Sequence, residues 1–501
     1  MAGLAGCCGY AMGLVAHPLL AAALRPRLPT RARRPGAVLT MAACLVLAGV
    51  LLWRWLPWQR ELYLLVDREP PGAAAPLVVA SVAVPLFVVV VGAARLVRAG
   101  GRLVGFPLRR LLPASAATTV GAAIVLVGLG AAADRYVVGA AFSAVDRSFD
   151  AANNAVPAEL DPPRSWYRSG SPWSSSPWLQ LGVQGRRFVA TGPTMADLAA
   201  VTDGPVTQPI RVYAGLDTDE DLEQLAQTAV QELERTGAFE RAVLCVTIPT
   251  GRGWVNARAV APLEYLHAGD TAIVAVQYSY LPSPLSFLVD PERAKGAGRA
   301  LFEAVYARWS ELPERDRPRL VVFGESLGST GIQAAFSGLA DMRARTDGAL
   351  LVGPPESNAL VEDVRDRRDP GSSQVLPVYD GGLTARFAAE PADLAMPPFV
   401  WPTPHVVVVQ HPSDPIVWWS PHLLLRQPQW LTEPRGDDVS PDMRWYPLVT
   451  FVQVTADMAV AGQTRIGHGH RYGDFLEYWS RIVPPTGWTQ DDTAELADAL
   501  S

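Results

Sequence analysis

Residues 321–330 read VVFGESLGST, and Ser326 stands between Gly324 and Gly328 directly after a run of apolar β-formers. A serine at a sharp strand-to-helix turn exposes its hydroxyl at the tip. Glycines two residues before and after relieve the crowding that such a turn creates. The chemistry this suits is nucleophilic: the serine attacks a carbonyl, an acyl-enzyme forms, and an acceptor releases it. The five-residue pattern alone recurs by chance, so its setting carries the weight. RLVVFG (319–324) reads as a buried strand, and LGSTGIQAAFSGLA (327–340) as a helix with Ile332 and Phe336 on one face.

A serine nucleophile needs a base, and the base needs an orienting acid. In a strand-turn-helix setting the chain order is serine, acid, histidine. Five histidines follow Ser326: His405, His411, His422, His468 and His470. His405 opens a strand and His411 closes it. His468 and His470 share a glycine-punctuated loop, IGHGHRYGD, near the C-terminus, where an imidazole can swing over a sheet edge. His468 is the preferred base because it follows Gly467 directly. His470 is the alternative, better placed to begin the helix near Asp474, and the bland reading has both merely capping that helix. For the acid, HVVVVQHPSDPIVWW places Asp414 in a Pro-bracketed turn just past a late strand. Asp380, in VLPVYDGG, is a rival after another possible strand, and Asp457 a weaker one in an apolar-periodic stretch.

Two backbone N–H groups must face the developing oxyanion. One is expected from Leu327, the residue after the nucleophile. The other is expected from the loop after an early strand, IPTGRGWVN (248–256), with Thr250 or Gly251 as donor. Gly251 and Gly253 also fit an ordinary turn. No C-x-x-C or Cys/His cluster points to a metal, and no cofactor is expected. Cys7, Cys8 and Cys44 lie in apolar segments and Cys245 in a strand, with no disulfide pattern. Leu4-Ala5-Gly6-Cys7 has the look of a lipoprotein box but lacks the charged and apolar regions that should precede it.

The elements that position these residues follow from periodicity. PIRVYAG (209–215) reads as a strand. Leu222, Leu225, Ala229 and Leu233 recur at helical spacing, with Gly237 as a stop. RAVLCVTIP (241–249), TAIVAVQYS (271–279), ALLVG (349–353) and HVVVVQH (405–411) are apolar runs of the kind buried on both faces of a parallel sheet. A helix fits 291–310. Strands alternating with helices imply a mostly parallel sheet flanked by helices. WYPLVTFVQVTADMAVAG (445–462) fits helix or strand. YSYLPSPLSFLVD (278–290), with Trp418 and Trp419, is either an acyl pocket or lid, or core.

The 501-residue chain is 49% hydrophobic and 18% charged, with a net charge of −6. No basic face suggests nucleic acid. Lys295 is the sole lysine. The apolarity is concentrated before about residue 140. Four stretches, 4–24, 37–57, 75–97 and 115–134, approach the roughly 20 apolar residues that span a bilayer. Arg25, Arg27, Arg31, Arg33 and Arg34 mark the first loop, and Arg95, Arg98, Arg102, Arg109 and Arg110 the third. The positive-inside rule places these loops in the cytoplasm and the C-terminal part outside, with Trp53, Trp55 and Trp58 at the outer interface. The expected division is a transmembrane helical domain (1–140), a Pro/Ser/Trp-rich linker (141–205) lying against the domain or the membrane, and a catalytic domain (206–501).

Many longer words are then on the page: RSGSPWSSSPW, GRRFVATGPT, ELERTGAF, IPTGRGWVN, DTAIVAVQYSYLPS, FGESLGS, TDGALLVGPP, LPVYDGG, HPSDPIVWWSP, MRWYPLVTF and GHGH. Together they resemble the actinobacterial membrane α/β-hydrolase family, which joins an N-terminal helical membrane domain to a C-terminal hydrolase domain. The resemblance covers most of residues 150–480 and implies an α/β-hydrolase fold with a Ser326/Asp414/His468 triad. It also leads one to expect further sequence before residue 1. The resulting expectation is a multi-pass, membrane-anchored serine hydrolase acting on a small-molecule or lipid ester outside the cytoplasmic membrane. The rivals are acyl transfer to an envelope lipid or sugar, and a non-enzymatic membrane scaffold.

Overall fold

The computed structural model describes residues 30–132, 153–154, 156, 159–219, 221–283, 286–287 and 290–500. The chain divides into two compact units, Met1–Val145 and Asp146–Ser501.

The described part of the first unit is helical: Thr30–Leu65, Ala75–Val104 and Ala114–Ala132. The apolar stretch expected at 4–24 lies outside the described residues. Among the described residues one helix, Ala75–Val104, is long and apolar enough to cross a membrane, and Ala114–Leu129 forms a shorter apolar helix. These two pack closely through small residues. A methyl group on Gly101 would come within 2.6 Å of the Ala122 amide, and one on Gly105 within 2.1 Å of the Ala117 carbonyl. Such backbone-to-backbone approach is how helices associate where no hydrophobic force separates protein from surroundings.

The second unit is built on a seven-stranded sheet: β1 Ile210–Ala214, β2 Val243–Ile248, β3 Thr271–Val276, β4 Arg319–Glu325, β5 Gly348–Val352, β6 Arg386–Ala388 and β7 His405–Val409. The order is β1-β3-β2-β4-β5-β7-β6. Every pairing is parallel. The strands are apolar on both faces because both faces are covered. Leu244, Val246 and Ile248 join one core with Leu225, Leu301 and Phe302. Val243 and Cys245 join the other with Ala259, Leu263 and Trp479. A third, smaller core gathers Val417, Trp418, Leu423, Trp430 and Val454. These residues lie in the long excursion between β7 and the C-terminal histidine loop, and Val375, from before β6, joins them. Residues 449–458, open between helix and strand in sequence, are a helix there. The single helix expected over 327–340 is two, Leu327–Gln333 and Leu339–Arg345.

The topology places a switch point. From β2 the chain moves to one side to form β3, then returns to the other side as β4. In such sheets the crevice at the carboxyl ends of the strands flanking the switch is where ligands bind. The loops after β2 and β4 are those carrying Thr250, Gly251 and Ser326.

The segment expected as a linker packs, in its described part, within the second unit. The Glu232 carboxylate accepts the Ser169 and Ser174 hydroxyls at 2.9 and 2.8 Å, the Ser175 N–H at 2.6 Å and an Arg235 N–H at 2.9 Å. RSGSPWSSSPW is therefore ordered by one buried acid, which composition alone does not reveal.

At the β1 edge, Arg211 and Glu264 form a fully buried bidentate pair at 2.7 and 2.5 Å. The Arg211 guanidinium also donates to the Phe188 carbonyl at 2.9 Å. Close by, burial and the charge of Arg211 push the Arg168 guanidinium down to about 10. Glu264 thus holds two buried cations in balance. Breaking one partner of a buried pair strands the other charge. Glu264→Gln is expected to lower the unfolding free energy by about 3–5 kcal/mol, measured by denaturant unfolding of the whole chain with tryptophan fluorescence as the signal. An unchanged midpoint would show the pair to be dispensable.

Candidate active site

β4 ends at Glu325 and the helix Leu327–Gln333 begins one residue after Ser326, so the serine occupies the whole turn. Its backbone sits at φ 54 and ψ −125, a strained conformation for a residue with a side chain, at a cost of about 1–3 kcal/mol. The flanking glycines are required by contact. A methyl group on Gly324 would lie 2.6 Å from the Gly328 carbonyl, and one on Gly328 would lie 2.1 Å from the Ile248 carbonyl. The turn is pressed against the end of β2. It is tied to β5 as well, because the Ser326 N–H donates to the Val352 carbonyl at 2.8 Å.

The loop after β2 arrives beside this turn. Its two glycines take positive φ, 48 at Gly251 and 97 at Gly253. The Thr250 N–H donates to the Trp254 carbonyl at 2.9 Å, and the Trp254 N–H returns to the Thr250 carbonyl at 3.1 Å. Of the two amides expected as oxyanion donors from this loop, that of Thr250 is therefore spent closing the loop on itself.

β7 is followed by Gln410–Asp414. Asp414 is fully buried and caps the short helix Pro415–Trp418, accepting the Ile416 N–H at 2.9 Å. Its other oxygen, Oδ2, receives two further contacts: His470 Nδ1 at 2.6 Å and the Tyr472 hydroxyl at 2.6 Å. Of the two loop histidines, the one that meets Asp414 is His470, not the His468 that the sequence favoured. His468 Nδ1 lies 3.2 Å from Asp438 Oδ2. The physical reason is the loop's winding. Gly467 and Gly469 take φ 92 and 54, which sends neighbouring side chains to different acids. The His470 ring also sits over the end of β5: a methyl group on Gly353 would come within 2.8 Å of its Cε1. Gly353 directly follows Val352, whose carbonyl anchors Ser326.

Electrostatics agree with this pairing. Burial penalises the Asp414 carboxylate, but the His470 charge and the His470 and Tyr472 hydrogen bonds outweigh it and hold its pKa below the usual carboxylate value. Burial likewise opposes a charged His470, yet the Asp414 carboxylate outweighs it and raises the imidazole above its ordinary 6.5. With Asp414 ionised, His470 Nδ1 must be the donor, which leaves Nε2 as the acceptor.

Two participants had no signal in the sequence. Tyr472 is one, legible only as a polar residue two places after His470. The other is the buried pair in which Asn256 Nδ2 donates to Glu325 at 2.8 Å, next to Ser326 in the chain. Asn256 also caps the helix Ala257–Leu266 through the Arg258 N–H. Burial raises the Glu325 carboxyl above its usual value despite the Asn256 bond.

The remaining sequence candidates fall elsewhere. Asp380 lies in a short 3-10 turn where its N–H bonds to Asp369. Asp457 lies on the helix Val449–Met458. His411 faces the Gly469 carbonyl at 2.8 Å. His405 lies between the Trp401 and Arg481 carbonyls. The two aromatic segments separate in role. Trp418 is core, donating to the His411 carbonyl at 3.1 Å. Trp419 is half-buried and meets Phe287, from the 278–290 segment, edge-on at 5.9 Å, and Phe451 at 5.8 Å.

Comparison with known proteins agrees with the sheet. Residues 210–496 match the alpha/beta-hydrolase family, and residues 1–193 match that family's N-terminal region. No curated protein and no solved structure matches the chain. A parallel sheet flanked by helices, with a match over more than half the sequence, makes this chain a member of the alpha/beta-hydrolase family.

Proposed function

We propose that this protein is a membrane-anchored serine hydrolase acting on an ester-type carbonyl, with Ser326 as nucleophile, His470 as base and Asp414 as orienting acid. The observation that carries the reading is the 2.6 Å contact between His470 Nδ1 and buried Asp414. It stands at the carboxyl edge of the sheet whose β4 leads into the strained Ser326. His470 takes the role that the sequence assigned to His468, because Asp438 and not Asp414 is the partner of His468.

In this reading Ser326 Oγ attacks the carbonyl carbon as its proton passes to His470 Nε2. Asp414 stabilises the imidazolium and holds its tautomer. The alcohol leaves with that proton, and a water deprotonated by His470 attacks the acyl-enzyme and restores the serine. The oxyanion is met by the Leu327 N–H at the start of its helix, with Gly251 as second donor since the Thr250 amide is committed. Trp419, a few residues past Asp414, meets Phe287 and Phe451, and this aromatic cluster suits an apolar acyl group. Anchoring is by the Ala75–Val104 helix with Ala114–Leu129 as a second crossing, so that a cytoplasmic arginine-rich loop between them favours a catalytic unit outside the cytoplasmic membrane.

Three outcomes test this. Ser326→Ala should abolish labelling by a fluorescent serine-reactive phosphonate while the protein stays folded; undiminished labelling would refute the nucleophile. His470→Ala should cut ester turnover by several orders of magnitude, whereas His468→Ala should cost far less. The reverse ranking would return the role to His468. The pH profile supplies a third check. Only neutral His470 accepts a proton, and its pKa lies above 6.5. Activity should be full well above that pKa and fall as pH drops through it. Asp414→Asn removes the charge that raises the pKa, so the acid limb should move to lower pH. A limb that stays in place in Asp414→Asn would dissociate the pair.

A further inference from the structure

The loop that carries His470 is gripped by a second carboxylate. Asp438, in the excursion between β7 and this loop, is buried to 9% exposure. Its Oδ2 accepts the Ser413 hydroxyl and faces His468 Nδ1 at 3.2 Å. Ser413 Oγ in turn accepts the Gly469 N–H at 2.8 Å. The Gly469 carbonyl faces His411 Nδ1 at 2.8 Å. Gly469 is therefore clamped at both ends by one turn, His411–Asp414, which also supplies the acid for His470. The site leaves no slack for the glycine, since a methyl group there would lie 2.8 Å from the Ala461 carbonyl.

A hydroxyl has one hydrogen and rotates freely about its C–O bond. Asp438 takes that hydrogen and so presents the Ser413 lone pairs to Gly469. Without Asp438 the hydroxyl hydrogen competes with the Gly469 N–H for the same space. His470 is the next residue, and its angle to Asp414 follows from the Gly469 peptide. We propose that Asp438 is a positioning residue for the base, acting through Ser413 and Gly469 to set how His470 meets Asp414. His468 lies against this clamp and is not part of the proton path. The proposal rests on the reading of Ser326, His470 and Asp414 as the reacting groups.

The test is a double-mutant cycle on the full chain in detergent, with p-nitrophenyl butyrate hydrolysis and phosphonate labelling rate as readouts. Asp438→Ala should lower kcat on the order of 10- to 100-fold, the size of effect that a misplaced reacting group produces, with little change in KM. Asp438→Asn, whose amide oxygen still accepts the Ser413 hydrogen, should recover most of the loss. Ser413→Ala should reproduce the loss, and adding Asp438→Ala to it should cost little more, because both act on one chain of bonds. Wild-type kcat in folded Asp438→Ala, or additive losses in the double variant, would overturn the proposal. If Asp438→Ala does not fold, failure of Asp438→Asn to outperform Ser413→Ala overturns it equally. A wild-type protein that neither hydrolyses nor labels would instead sink the proposed triad, and this proposal with it.

Discussion

The close approach of the Ser326 turn to the end of β2 governs the rest of the site. With Gly328 a methyl group short of colliding with the Ile248 carbonyl, the turn has one place to go. Its strain is held by regular structure on three sides: β4 before it, a buried helix after it, and the Val352 carbonyl of β5 accepting its N–H. A strained turn persists only when its surroundings over-determine it. Here they are a parallel sheet buried on both faces.

Around that fixed point the remaining groups arrive from three loops in turn along the chain. The β2 loop closes through Thr250 and Trp254, which spends one amide. The β7 turn delivers Asp414 with its carboxylate already bonded to the Ile416 N–H and the Tyr472 hydroxyl. The last loop delivers His470 and is itself anchored by Ser413 and His411 of the same β7 turn. Asp414 and His470 are thus carried by two segments that hold each other. A long excursion with its own small core separates them in sequence. Leu376 packs against both that core and one of the cores flanking the sheet.

Buried charge recurs as a device in this unit. Glu264 neutralises Arg211 at the β1 edge, Glu232 organises the serine-rich segment, and Glu325 shares its burial with Asn256. Glu264 and Glu232 are each fixed by several N–H or O–H donors and Glu325 by the Asn256 amide, as burial demands of a charged or polar group. None has a periodic signature, since a single acid on a helix face looks the same whether it meets solvent or a partner.

What the sequence determined by itself is what depends on local pattern. Apolar runs of strand length, alternating with helical spacing, specified the parallel sheet, and Gly-Glu-Ser-Leu-Gly at a strand end specified the serine turn, because both are short-range steric and burial requirements. The Pro-bracketed turn after β7 marked Asp414 for the same reason. What tertiary structure decided is which of two histidines, two residues apart, meets that acid. The loop's winding at Gly467 and Gly469 sends His470 to Asp414 and His468 to Asp438, and no spacing rule contains that choice. It likewise decided that Thr250 closes its own loop, that the serine-rich segment packs in the second unit, and that Tyr472 and Asn256 border the site. These are contacts between residues far apart in the chain, set by how separate elements dock and not by the residues' own preferences.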